Sequence, residues 1–84
     1  MKLRMIQWNI STVSRPKEIA AFIKKRVGRG PTVVCLEEVK RSSYEKLVGF
    51  LNPMSSCLSL DLRPPSQDES RARRLGVAIF AFGL

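Results

Sequence analysis

Apolar residues recur along the chain with two different periods, which predicts alternating strands and helices. The run at 3–10 and the β-branched run at 32–36 have the length and content of strands that are buried on much of both faces. Between them lie apolar residues at helical spacing, Ile19, Phe22, Ile23 and Val27. A strand, a helix and a strand in this order predict parallel neighbouring strands joined by a right-handed crossover.

The ends of two helices can be placed from individual residues. Pro16 suits the first position of a helix, and glycines at 28 and 30 predict its end. Ser42 and Glu45 have the spacing of a capping box, which predicts that a second helix begins there. The pair Asn52-Pro53 predicts the end of this second helix.

The last third of the chain predicts two more strands. The segment 57–62 alternates, with Leu58, Leu60 and Leu62 on one face, which is typical of a strand. A polar loop follows at 63–74, and 75–82 returns to an apolar strand pattern. We expect the two strands to pair as antiparallel neighbours across this loop.

Candidate chemistry lies where the first two strands end. Asn9 ends one strand, and Glu37 and Glu38 lie near the end of the next. Because parallel strands end at the same edge of an open α/β sheet, Asn9 and one glutamate should lie side by side there. Adjacent residues of a regular strand point to opposite faces, so only one glutamate should face Asn9, and the pattern does not say which. An amide oxygen and a carboxylate are suitable ligands for Mg²⁺.

Three strings in this order, Trp8-Asn9-Ile10, Leu36-Glu37-Glu38-Val39-Lys40 and Gly76-Val77-Ala78-Ile79-Phe80, resemble the opening third of the endonuclease/exonuclease/phosphatase superfamily. This group includes exonuclease III-type nucleases, DNase I, inositol polyphosphate phosphatases and neutral sphingomyelinases. The resemblance implies an α/β fold that is the β-α-β-α-β-β start of a two-sheet, DNase I-like sandwich, incomplete in this chain. It also implies metal-dependent hydrolysis of phosphoesters.

The resemblance assigns roles to two residues. The superfamily motif has its metal-binding glutamate in the second position, after a glutamine, so Glu38 is the implied ligand of Mg²⁺ or Mn²⁺, supported by Asn9. Both are then the implied catalytic residues of this chain. Glu37 stands where the family has glutamine, and Ser11 and Thr12 follow Asn9 where a glycine is common.

Two features of such an enzyme are missing from the sequence. The chain has no histidine and no Asp-x-Asn string, and the resemblance implies that a complete enzyme carries both. We therefore expect residues 1–84 to be a single partial domain that is inactive by itself. A truncated reading frame, a degenerate copy and one piece of a split protein remain alternatives.

The positive charge bears on the partner. The formal net charge is +8, and the pI is about 10.4. This balance favours nucleic acid over the inositol phosphates and sphingomyelin that the family also hydrolyses. The candidate phosphate contacts are five basic residues, Lys40, Arg41, Arg71, Arg73 and Arg74.

Two other functions stay open at this point. The chain could be a small basic α/β module that binds nucleic acid without chemistry, through the three arginines at 71–74 and the basic cluster at 24–26. It could instead be a structural subunit completed by another chain or by its own copy. That subunit would bury the leucine face of 57–62 in an oligomer.

The cysteines and the apolar runs bear on location. Cys35 and Cys57 are too few for a disulfide framework, and Cys35 is expected to be a small buried apolar residue. The basic start at 1–4 is not followed by the apolar run of a signal peptide, and the apolar stretch at 77–84 is too short to span a bilayer. We expect an intracellular protein, cytoplasmic or nuclear.

Overall fold

A mixed four-stranded sheet forms the centre of the fold. The computed structural model describes residues 2–10, 15–28, 30–62 and 75–83. Within these ranges the chain forms strands β1 (Arg4–Asn9), β2 (Thr32–Val39), β3 (Ser55–Leu58) and β4 (Gly76–Phe82), and helices α1 (Pro16–Val27), α2 (Arg41–Leu51) and α3 (Ser59–Leu62). The strands lie in the order β1-β2-β4-β3. The prediction of an α/β chain is confirmed at this level.

Strand pairing follows the predicted topology in both halves of the chain. Strands β1 and β2 are parallel, and their register sets Asn9 opposite Glu37. Strand β4 lies antiparallel to both β2 and β3. The predicted crossover unit and the predicted antiparallel pair therefore share one sheet, with β4 as the link between them.

The core lies on one face of this sheet, under α1 and α2. From the strands it takes alternate residues that are fully buried, among them Val34, Leu36, Leu58, Ala78 and Phe80, and from the helices it takes Ile23 and Leu47. Each large apolar side chain buried in this way stabilises the fold by about 1.5–3 kcal/mol. Thr32 is buried with them, and its hydroxyl donates a hydrogen bond to the Gly30 carbonyl oxygen at 3.0 Å.

The opposite face of the sheet is open. Met5 is 68% exposed, Ile79 is 40% exposed, and Cys57 is exposed as well. Strand β1 was expected to be buried on both faces, and this is wrong because β1 is an edge strand with helices on one side only. The expectation of a buried Cys35 is also wrong, because Cys35 lies on the open face beside Ile79 and is only partly buried.

The predicted strand at 57–62 ends early. The chain leaves the sheet after Leu58 and forms α3, so the strand prediction is wrong for residues 59–62. Leu58 and Leu60 are both buried, which explains the alternating pattern without a continuous strand. The structure describes the backbone of Leu62 as part of α3 but not its side chain. Because Leu58 and Leu60 already pack in the chain's own core, they do not form the oligomer face expected from the sequence.

Most helix ends agree with the sequence. Helix α1 begins at Pro16, and α2 ends where Asn52 adopts a left-handed conformation and donates its backbone N–H to Val48. The predicted capping box is wrong, because the N-cap of α2 is Lys40, two residues before Ser42, and it makes no side-chain hydrogen bond. No helix in the described ranges combines the length and the apolar character that crossing a membrane requires.

Gly76 lies where β4 packs closely against α3. A Cβ atom at this position would lie 2.8 Å from the Ser59 Oγ and 2.9 Å from the Leu60 Cγ. The same Ser59 Oγ accepts a hydrogen bond from the backbone N–H of Val77 at 2.9 Å. The close contact therefore leaves no room for a side chain larger than hydrogen.

We expect Gly76→Ala to lower the free energy of unfolding by about 1–3 kcal/mol, because the new methyl group overpacks this contact. Gly49→Ala is the matched control, since a Cβ there meets nothing within 4 Å. On the exposed face of α2 it should stabilise the chain by about 0.5–1 kcal/mol. Urea denaturation measures both, and equal effects of the two substitutions would contradict the packing described for Gly76.

Candidate metal site

A cleft of about 440 Å³ opens at the carboxyl edge of β1 and β2. Asn9, Glu37 and Glu38 line one side of it, and Ser59, Gly76 and Val77 line the other. The chain thus brings together the amide and the carboxylates that the sequence had singled out. Asn9 comes from β1 and the two glutamates come from β2. The cleft forms where these strands end, as expected for an open α/β sheet.

The end of β1 holds Asn9 in place. Asn9 is the last residue of the strand and faces Glu37 across the parallel pair. The next residue continues the pairing, because the backbone N–H of Ile10 donates to the Glu37 carbonyl oxygen at 3.2 Å. Ile10 is itself almost fully buried, which anchors the chain immediately after the candidate ligand.

Glu38 has an unusual backbone conformation. Its φ angle is +59°, in the left-handed region, and the register of β2 against β4 shifts between Leu36 and Val39. Such a conformation costs a residue with a side chain about 1–3 kcal/mol unless the surroundings impose it. Both Leu36 and Val39 are fully buried, so the two glutamates between them occupy a bulge and not a regular strand.

The bulge changes how the two glutamates share the site. Regular alternation would send Glu37 and Glu38 to opposite faces, but both line the cleft. The expectation that only one of them faces Asn9 assumed a regular strand, and the left-handed Glu38 breaks that regularity. Two carboxylates therefore contribute to the electrostatics of the cleft.

Gln7 does not line the cleft but contacts a residue that does, and sequence reasoning missed it. Its Nε2 lies 3.4 Å from the Glu37 Oε1, a distance that allows a weak hydrogen bond. The two-residue period of a strand could have revealed it, because Gln7 precedes Asn9 by two residues and therefore lies on the same face of β1. This contact draws the Glu37 carboxylate toward β1.

The donor set suits a small oxygen-loving cation. It offers one amide oxygen and two carboxylates, and Mg²⁺ is commonly held by one or two carboxylates with water completing its shell. In the described part of the chain, no group of three or more His, Cys, Asp or Glu side chains could hold a metal ion. A binding site here would therefore be the sparse type that Mg²⁺ or Mn²⁺ accepts.

The basic candidates lie in different surroundings. Arg41 forms an ion pair with Asp61, with a nitrogen–oxygen distance of 2.6 Å and both side chains about half exposed. Its charge is thus shared with α3, and an exposed pair of this kind contributes at most about 1 kcal/mol. Lys40 is exposed at the junction of β2 and α2. The other three candidates, Arg71, Arg73 and Arg74, lie outside the described residues.

We expect Glu38→Gly to raise the free energy of unfolding by about 1 kcal/mol, because glycine adopts a positive φ without the Cβ clash. Glu37→Gly is the control, since Glu37 keeps a register partner on β1 and has no positive φ angle, and this variant should lose about 0.5–1 kcal/mol. Urea denaturation distinguishes them. Equal destabilisation by both substitutions would mean that Glu38 bears no backbone strain.

Neither a scan against protein-family models nor searches of curated proteins and of solved structures find a match to this chain. The superfamily resemblance of the three strings therefore stays a prediction. A function is inferred here from the chemistry of the cleft.

Proposed function

We propose that this chain is the metal-binding part of a phosphoesterase of the endonuclease/exonuclease/phosphatase type, acting on nucleic acid. The observation that carries the proposal is the meeting of Asn9, Glu37 and Glu38 in one cleft at the carboxyl edge of parallel strands. The resemblance of the strings around these residues supports it. So does the net charge of +8, which favours a polyanionic substrate.

Each residue has a distinct part in this proposal. The Glu38 carboxylate and the Asn9 amide oxygen would hold Mg²⁺ or Mn²⁺, because both residues line the cleft. Glu37 adds negative charge to the cleft and is drawn toward β1 by Gln7. A bound cation would offset the charge of a phosphate and of the oxygen that leaves it.

Turnover needs a group that activates water, and the proposed roles provide none. The chain has no histidine, the Glu38 carboxylate is assigned to the cation, and Glu37 is assigned only the part of adding negative charge. We therefore expect the 84-residue chain to bind the metal ion without measurable hydrolysis of a phosphodiester.

Metal binding tests the proposal directly. Titration with Mn²⁺, followed by water proton relaxation, should show one site, and Glu38→Gln should weaken it by at least about tenfold because a charged ligand is lost. Glu45→Gln is the matched control, because Glu45 is an exposed carboxylate on α2 and does not line the cleft. Equal affinities in the wild type and both variants would refute the metal site.

A second candidate function is favoured by the open face of the sheet. Met5, Val77 and Ile79 are exposed there, and the described helices cover only the other face. Sheets commonly pack face to face at about 10 Å, so a second copy of this chain could cover this surface. The chain would then be a structural subunit, and the cleft would be incidental.

For this second function, we expect the wild type to sediment as a dimer at micromolar concentration and Ile79→Lys to sediment as a monomer, because a buried lysine opposes packing of the two sheets. Phe50→Lys is the control, since Phe50 on α2 is exposed to the same extent, 40%. Sedimentation equilibrium measures both. A monomeric wild type would exclude this function and leave the metal site untouched.

A further inference from the structure

A second cavity, of about 300 Å³, lies between the edge strand β1 and helix α1. Its lining is mostly apolar and consists of Trp8, Ile10, Arg15, Glu18, Ile19 and Phe22. It lies on the helix side of the sheet, whereas Asn9 points to the other side. The volume is at the lower end of the range for small-molecule pockets, which suits a planar ring system.

Two aromatic rings form a wall of this cavity. The centroids of Trp8 and Phe22 lie 4.7 Å apart with an interplanar angle of 44°. Trp8 is half-buried and packs against the core, and Phe22 is 39% exposed. An aromatic wall that is fixed at its base and open at its rim is suited to stacking against a planar ligand.

Positive charge borders the rings at one end. The Arg26 guanidinium lies 3.5 Å from the centre of the Phe22 ring and donates a hydrogen bond to the Phe22 carbonyl oxygen at 3.0 Å. Arg4 reaches across from β1 and donates to the Arg26 carbonyl oxygen at 3.0 Å. Lys24 and Lys25 are exposed in the same last turn of α1. Two arginines from distant segments, Arg4 and Arg26, thus meet beside the aromatic wall.

At the other end of the cavity, one positive and one negative side chain offset each other. The Arg15 guanidinium and the Glu18 carboxylate lie 3.6 Å apart, and both side chains are largely exposed. A phosphate would be repelled by Glu18, whereas the amino or ring N–H group of a neutral base could donate to it. The cavity therefore suits a base, and the cationic end suits a phosphate.

We propose that this groove between β1 and α1 binds single-stranded nucleic acid. One unpaired base packs against Trp8 and Phe22, whose ring carries Arg26 on one face, and the adjoining phosphates lie against Arg4 and Arg26. A single strand fits better than a duplex, because bases inside a duplex are already stacked and cannot enter a cavity beside a strand. The inference goes beyond the metal site, because binding in this groove needs no cation in the cleft.

Trp8 makes the proposal directly measurable, because it is the only tryptophan of the chain. Titrating the full chain with an oligothymidylate of about 12 nucleotides, in the presence of EDTA, should quench its fluorescence. An oligouridylate in a parallel titration separates DNA from RNA as the preferred strand, and quenching by either supports the groove. Absence of quenching by both, or equally tight binding of a duplex of the same length, would overturn the proposal.

Variants of Phe22 separate stacking from charge. Phe22→Leu should weaken binding by at least about fivefold, because it removes the ring but keeps an apolar side chain, and Phe22→Tyr should restore it. Phe50→Leu is the matched control, a similarly exposed phenylalanine on the other long helix. Circular dichroism checks that each variant is folded. Equal weakening by Phe22→Leu and Phe50→Leu would overturn the stacking role.

Salt dependence tests the cationic end and stays informative if a Phe22 variant does not fold. Arg26→Gln should reduce the slope of log affinity against log salt concentration by about one, the loss of one phosphate contact. Lys46→Gln, at an exposed position on α2, should leave the slope unchanged. An unchanged slope in Arg26→Gln would overturn the phosphate contact. Because these titrations are done without metal, their failure is distinguishable from failure of the metal site.

Discussion

Parallel pairing of β1 with β2 is the constraint on which the rest of the structure depends. A parallel pair requires a crossover, and α1 makes that crossover on a single face of the sheet. The same pairing sets Asn9 beside Glu37 and leaves the outer edge of β1 next to α1. The cleft and the aromatic groove therefore both arise from one register, on opposite sides of one strand.

Packing on a single face divides the molecule into two chemically different surfaces. The face under α1 and α2 holds the buried apolar side chains, and the opposite face leaves Met5 and Ile79 in contact with solvent. An antiparallel sheet commonly has one solvated face, but that face is normally polar. Exposed apolar side chains on this face, at Met5 on the edge strand and Ile79 on β4, indicate a surface that a further layer would stabilise.

Strain at Glu38 connects folding with the proposed chemistry. The buried neighbours Leu36 and Val39 must both reach the core, and the two glutamates between them can only be accommodated by a bulge. Core packing thus holds Glu38 in its left-handed conformation, and Glu38 lines the cleft together with Asn9. Backbone strain of this kind is commonly found at functional sites.

Local patterns determined much of this protein, and tertiary packing decided the rest. Helical and strand periods, Pro16 and Asn52 were enough to predict the crossover unit, both long helices and the meeting of Asn9 with a glutamate, because these depend on local spacing. The sequence did not reveal that both glutamates share the cleft, that Arg41 pairs with Asp61, or that the chain turns into α3 after Leu58. Those outcomes depend on which distant residues meet: Gly76 against Ser59, or Leu36 and Val39 in one core. In the short segment 57–62, apolar and polar residues would alternate in the same way in a continuous strand and in a strand that turns into a helix. Only packing against β4 could decide between these two structures.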